Sequence, residues 1–258
     1  MLLKINKIIS KKNKSKIICL TSYSKNIAEE LDKHADIVLV GDSLGSVLYN
    51  YNTTRKVTLQ IMIDHSKSVR MGVKKSLMVV DMPYQTYRNK SEAINNVRKV
   101  MKLTKCDAVK LEGGQKIKKI VEHLVKNKIP VLGHLGILPQ SVRGKFKIKG
   151  KSQTEIKNLI KEAKLLEKLG VFGIVLECIE TKLAKKITKE IKIPTIGIGS
   201  SKYCDGQVLV TDDLIGLNKT NIRFVKKFID IKKELNKGIK KFKQEVMLGK
   251  YPSKKYSY

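Results

Sequence analysis

The chain has 258 residues, with 54 Lys+Arg against 23 Asp+Glu and a formal net charge of +31. Its 41% hydrophobic content is that of a globular protein, which excludes general disorder despite the charge. No apolar run reaches the roughly 18 residues of a membrane span, the lysine-interrupted start MLLKINKIISKKNKSK is unlike a secretory signal, and four dispersed cysteines without a C-x-x-C argue against a zinc site or disulfide framework.

From the N-terminus onward one unit recurs, a short apolar run ending in a polar or glycine residue and then an amphipathic stretch. The runs are Lys16–Leu20, Ile37–Val40, Leu77–Val80, Ala108–Leu111, Pro130–Leu132, Gly173–Leu176, Thr195–Ile198 and Val208–Val210. Runs this short and apolar suit strands buried on both faces of a parallel sheet. Between them the pattern predicts helices over Lys25–His34, Thr58–Met71, Ser91–Leu103, Lys116–Asn127, Thr154–Leu169 and Thr181–Ile191, with Thr58, Ser91 and Thr154 as N-caps. Arg143–Lys151 reads as a long loop, and 221–248 as a C-terminal helical extension. Eight strands with mostly helical crossovers predict an α/β fold, a (β/α)8 TIM barrel forming a single domain over 1–258.

The charge raises the question of nucleic acid, since Lys and Arg release counterions from phosphates. Yet the lysines are spread through nearly every segment, aromatics are 5% and Trp is absent, leaving little for bases to stack on. The expectation is solvated surface charge in a soluble protein of a reducing, cytoplasmic compartment, without a specific nucleic-acid or membrane partner.

In a barrel, side chains at the C-terminal ends of the strands converge on one mouth, where chemistry is done. Those positions here hold Thr21, Ser22 and Tyr23, then Asp42 and Ser43, Asp81, Lys110 and Glu112, His134, Glu177, and Gly197 to Ser200. Four of these seven loci carry a carboxylate, an arrangement that repulsion disfavours unless a cation or proton compensates. Each residue alone admits a plainer role. Asp42 in GDSLG suits a turn or cap, Lys110 and Glu112 a structural ion pair, and His134 a satisfied core position. Together, Asp42 and Asp81 end neighbouring strands and offer hard oxygens suited to Mg²⁺, with Glu112 placed to hold a water of that ion. Glu177 follows four apolar residues, so burial is expected to raise its pKa toward that of a general base. The set suits metal-stabilised enolate formation from a small 2-oxo acid by a lyase or transferase.

The motifs LTSY (20–23), LVGDSLG (39–45), VTLQIMIDHSKSVRMG (57–72), VVDMPY (79–84), AVKLEGG (108–114), GHLGILPQSV (133–142), VLECI (175–179), PTIGIGS (194–200) and DGQVLV (205–210) occur in this order. Together they resemble the 3-methyl-2-oxobutanoate hydroxymethyltransferase family. The resemblance implies a barrel of the phosphoenolpyruvate/pyruvate superfamily and a homo-oligomer, typically a decamer. The implied reaction moves a one-carbon unit from 5,10-methylenetetrahydrofolate to 3-methyl-2-oxobutanoate, giving 2-dehydropantoate in pantothenate synthesis. It also implies Asp42, Asp81 and Glu112 at a Mg²⁺ site, and Asp42, Ser43, Asp81, Lys110 and His134 around the oxo acid. Glu177 matches the proton acceptor. Arg143–Gly150 is shorter than the corresponding family segment and bears on folate binding. The alternative within the superfamily is a folate-independent, metal-dependent oxo-acid lyase or mutase.

Overall fold

The computed structural model describes residues 2–142, 147–219 and 222–258, so part of the predicted Arg143–Lys151 loop lies outside the described residues. The chain divides into two units, Met1–Val210 and Thr211–Tyr258. In the first, eight parallel strands close into a barrel in sequence order. They are β1 (Ile17–Thr21), β2 (Ile37–Val40), β3 (Leu77–Asp81), β4 (Ala108–Glu112), β5 (Val131–Gly136), β6 (Gly173–Glu177), β7 (Thr195–Ile198) and β8 (Gly206–Leu209). The helices of this unit are α1 (Leu2–Ser10), α2 (Lys25–Leu31), α3 (Leu44–Leu48), α4 (Leu59–Gly72), α5 (Lys90–Thr104), α6 (Lys118–Lys126), α7 (Gln153–Lys168) and α8 (Thr181–Glu190).

All eight predicted strands are present, but several run further than their apolar residues. Pairing of Asp81 with Lys110, Glu112 with His134 and Gly136 with Glu177 carries β3, β4, β5 and β6 past the point where apolar character stops. The backbone ladder is indifferent to side-chain polarity, so the charged residues expected just beyond the strands sit inside them. Thr58 caps α4 as predicted, accepting from the Ile61 N–H at 3.2 Å. The caps of α5 and α7 are instead Asn89 and Ser152, which accept from Glu92 and Glu155 N–H. Ser91 and Thr154 lie two residues too far in. A glutamate three residues after each true cap reaches back to N–H groups ahead of the helix, a close relative of the capping box.

Alternate residues of each strand face opposite sides. Val38, Met78, Val80, Val109, Leu111, Ile174 and Leu176 join the core between sheet and helices. Ile37, Leu39, Leu77, Val79, Ala108, Leu132 and Val175 fill the barrel interior. Two buried residues of α1, Ile5 and Ile8, belong to the same interior cluster. That helix escapes prediction because lysines dilute its short apolar face. Three nearby lysines pair with aspartates at the strand starts, Lys4 with Asp107, Lys11 with Asp36 and Lys12 with Asp205. The same aspartates accept backbone N–H bonds from Met78, Ile18 and Thr195.

Asp32 has a comparable structural role after α2. Burial on its own would raise its pKa, but N–H groups of Ser76, Lys75 and Lys74 donate to its carboxylate and hold it below the usual carboxylate range. Asp32→Asn is expected to cost about 1 kcal/mol at neutral pH, a charged hydrogen-bond value discounted for solvent screening. Because the folded pKa is the lower one, the stabilisation is complete above the unfolded value near 4 and is lost as pH falls through the folded value. Urea denaturation of both proteins checks this. The two should differ at pH 7 and converge as the pH drops below about 4.

The second unit contains α9 (Thr211–Leu214) and α10 (Ile231–Met247). The predicted extension over 221–248 is therefore too long at its start. Phe228 and Ile231 donate their N–H groups to the Leu214 and Ile215 carbonyls, which prevents a continuous helix there, and the Asp230 carboxylate caps α10 through Lys233 N–H. Among the described residues no helix is long and apolar enough to cross a membrane.

Candidate active site

The interior face of the barrel changes character along each strand. On β3 the inward series is Leu77, Val79, Asp81, and on β4 it is Ala108, Lys110, Glu112. On β5 Leu132 precedes His134, and on β6 Val175 precedes Glu177. The period of two that fills the barrel with apolar side chains thus delivers charged ones at its C-terminal mouth. Asp42 comes from the turn after β2. Its approach is close, since a Cβ on Gly41 would stand 2.9 Å from Ser43 Oγ and 3.6 Å from Asp81 Oδ2.

Two groups form. In the first, Lys110 Nζ donates to Asp81 Oδ1 at 2.8 Å, and the Asp42 backbone N–H donates to Asp81 Oδ2 at 3.1 Å. Lys110 is therefore paired with Asp81 and not with its own strand neighbour Glu112, contrary to the plainer sequence expectation. In the second group, His134 lies between two acids, Nδ1 at 3.6 Å from Glu112 Oε1 and Nε2 at 3.2 Å from Glu177 Oε2. Both are ion-pair distances without hydrogen-bond alignment. Ser43 stands beside the first group, its Oγ 2.9 Å from the Tyr23 hydroxyl.

Burial and charge shape the protonation states. Asp42 is buried and is pushed up to about 8, first by loss of solvent and then by the charges of Asp81 and Glu112, with Lys110 and a Gln140 hydrogen bond opposing. Burial disfavours a charged Lys110, but Asp81, Glu112 and Asp42 outweigh it and raise its pKa. His134 follows the same logic. Burial and Lys110 oppose its cation, and the acids on either side of the ring overcome them, lifting it to about 9. Glu177 is the most exposed of the acids in these ion pairs, its side chain 19% accessible against 3% for Glu112 and 4% for Asp81. The burial on which its expected role rested is only partial.

Asp42 and Asp81 thus crowd against a single buried ammonium, and the proton that burial and the neighbouring charges keep on Asp42 is one that a bound cation would replace. Within the described residues no hydrogen bond engages Asp42 Oδ1. Nor do any three His, Cys, Asp or Glu side chains there converge as a ready-made metal cage. A pair of aspartates fits Mg²⁺, which is commonly held by one or two carboxylates and completes its shell with waters and substrate oxygens. Glu112 is turned instead toward His134 and the loop after β5, where its Oε2 accepts the Gln140 N–H at 3.0 Å.

Gln140 and Tyr87 are site residues that the sequence reading did not single out. Gln140 sits in the quoted segment GHLGILPQSV, so a signal existed, but Tyr87 follows β3 in a stretch with no motif.

Comparison with known proteins places this geometry in context. The family model described as ketopantoate hydroxymethyltransferase matches residues 3–254. A relative from Pelagibacter ubique (strain HTCC1062), 3-methyl-2-oxobutanoate hydroxymethyltransferase, is 63% identical over 99% of both chains. A protein of the same name from Anaplasma marginale (strain Florida) is 41% identical over 100% of this chain and 94% of its own length. Among solved structures, a 2,3-dimethylmalate lyase of the PEP mutase/isocitrate lyase superfamily superposes with a TM-score of 0.64 at 9% identity, covering 99% of this chain and 88% of its own. A phosphonopyruvate hydrolase in complex with oxalate and Mg²⁺ gives 0.62 at 8%, covering 98% and 93%. At that identity these two likenesses bear on the fold alone.

Proposed function

This chain belongs to the ketopantoate hydroxymethyltransferase family, and from that premise we propose that its barrel mouth transfers a one-carbon unit from 5,10-methylenetetrahydrofolate to 3-methyl-2-oxobutanoate, yielding 2-dehydropantoate and tetrahydrofolate with Mg²⁺ or a similar divalent cation. The observation that carries the chemistry is the buried group of Asp42, Asp81 and Lys110, two acids and one ammonium gathered where a 2-oxo acid would enter.

Asp42 and Asp81 would hold the cation. When bound, it supplies Lewis-acid withdrawal of charge from the oxo acid's carbonyl, which acidifies the adjacent C3–H and stabilises the enolate. Lys110, kept charged by its carboxylate neighbours, offers a countercharge to the substrate carboxylate. Ser43, held against Tyr23, offers a hydroxyl to the substrate oxygens. Water cleaves the two C–N bonds that hold the one-carbon unit to the folate, releasing tetrahydrofolate and leaving that carbon as a carbonyl. Glu177 removes the C3 proton, the electron pair so released adds to that carbonyl carbon, and its oxygen takes up a proton to become the hydroxyl. His134 stands between Glu112 and Glu177, so its cation orients Glu177 through Oε2 and leaves Oε1 for the proton. The same reading takes the chain as a cytoplasmic homo-oligomer, a decamer by family resemblance. Its unpaired cysteines agree with a reducing compartment.

The direct test is product formation followed by mass spectrometry. Ketopantoate should appear only when the oxo acid, methylenetetrahydrofolate and a divalent cation are all present, vanish under chelation and return when Mg²⁺ is added back. Cleavage or rearrangement of oxo acids without folate would favour the lyase or mutase alternative instead.

A further inference from the structure

The two groups at the mouth are joined through Gln140, a residue 3% exposed on the loop after β5. Its backbone N–H donates to Glu112 Oε2. Its side-chain nitrogen donates to Asp42 Oδ2 at 2.8 Å and to the Met82 carbonyl at 2.9 Å, which uses both amide hydrogens. Its side-chain oxygen accepts from the Tyr87 hydroxyl at 2.6 Å. The orientation of the amide is thereby determined. A flip would set its oxygen against the Met82 carbonyl and the Asp42 carboxylate, two acceptors.

We infer that Gln140, oriented by Tyr87, is a positioning residue that ties down one oxygen of Asp42 and so presents the other to a divalent cation. The inference rests on the proposal that Asp42 and Asp81 hold that cation. Carboxylate ligands are aimed by the groups that hydrogen-bond to them, and loss of such a partner commonly weakens metal affinity by about 10- to 100-fold. A carboxylate freed from Gln140 gains rotameric freedom and an unpaired oxygen in a crowded, buried mouth. The same glutamine ties the loop after β5 to Met82, just after β3, through its side chain and to Glu112 on β4 through its backbone N–H, so one residue joins that loop to the cation end of the site.

The test is Mn²⁺ binding to the full-length protein without either substrate, with free Mn²⁺ counted from its electron paramagnetic resonance signal. Gln140→Met, which keeps the length and removes the donors, should raise the Mn²⁺ dissociation constant about tenfold. Tyr87→Phe should shift it in the same direction by a smaller factor. At saturating metal, Gln140→Met should regain most of its turnover, whereas Asp81→Asn should not. A loop-anchoring role alone would lower the melting temperature and leave both dissociation constants at the wild-type value, and that result overturns the inference. If Gln140→Met fails to fold, Tyr87→Phe decides by the same criterion. Weakened binding in Asp81→Asn beside wild-type affinity in both other variants would retain the cation site and reject the role of Gln140. Absence of Mn²⁺ binding by the wild type would reject both.

Discussion

Asp81→Asn is expected to lower turnover about 10³-fold and to weaken divalent-cation binding by at least ~100-fold, while the barrel stays folded. The activity loss follows from charge, because an amide is a poor ligand for a hard cation and leaves Asp42 as its one remaining carboxylate. The prediction for folding balances two effects. Asparagine presents one acceptor where Asp81 presents two, so either Lys110 Nζ or the Asp42 N–H loses its partner, at a cost of roughly 1–3 kcal/mol. Against this, removing the Asp81 charge relieves repulsion that now pushes Asp42 upward. Lys110 also keeps two carboxylates nearby, so it is not stranded as an isolated buried cation. Turnover measured across a Mg²⁺ titration, with thermal unfolding as the control, checks the prediction. Wild-type activity in a folded Asp81→Asn protein would remove this residue from the cation site.

The second large effect is expected at Glu177. With 3-methyl-2-oxobutanoate and Mg²⁺ but no folate, the wild-type protein should exchange the substrate's C3 hydrogen for deuterium from solvent, and Glu177→Gln should slow that exchange by about 10³-fold, within the usual range for a lost general base. The variant keeps the size of the side chain, and the other residues assigned to the oxo acid lie on other strands or in the turn after β2, so binding of metal and oxo acid should survive. One indirect change is also expected. His134 owes part of its raised pKa to Glu177, so the variant's imidazole should titrate lower, which NMR of the ring protons can follow. Loss of overall transfer with wild-type exchange would move Glu177 from proton removal to the folate half of the reaction. Its partial exposure and its contact with His134 favour a base that is oriented by a neighbour, and not one activated by burial alone.

Much of this molecule is legible in its sequence because of how a parallel barrel is built. Its strands are covered on both sides, so they appear as short apolar runs, and β2 and β7 match the predicted bounds at both ends. Where prediction stopped early, as at Leu132 on β5, the cause was a glycine and then a polar side chain on a backbone that goes on pairing. Asp42, Asp81, Glu112 and Glu177 stand out by the same logic, as acids closing apolar runs in a chain with few acids. The helix α1 was not legible. Its burial depends on two isoleucines and on lysines that find aspartates at strand starts far along the chain.

By itself, then, the sequence determined the barrel and the identity of the residues at its mouth, since both follow from local alternation between apolar and polar positions along each strand. Which of those residues face one another was decided only by the tertiary structure. Lys110 meets Asp81 across a strand pair instead of Glu112 along its own strand, and His134 comes to lie between two acids. Gln140 reaches Asp42 across 98 residues and Tyr87 across 53. Closing the barrel brings loops from separate βα units to one mouth, and contacts made between such loops leave no periodic trace in either segment, so nothing short of the folded chain could have paired them.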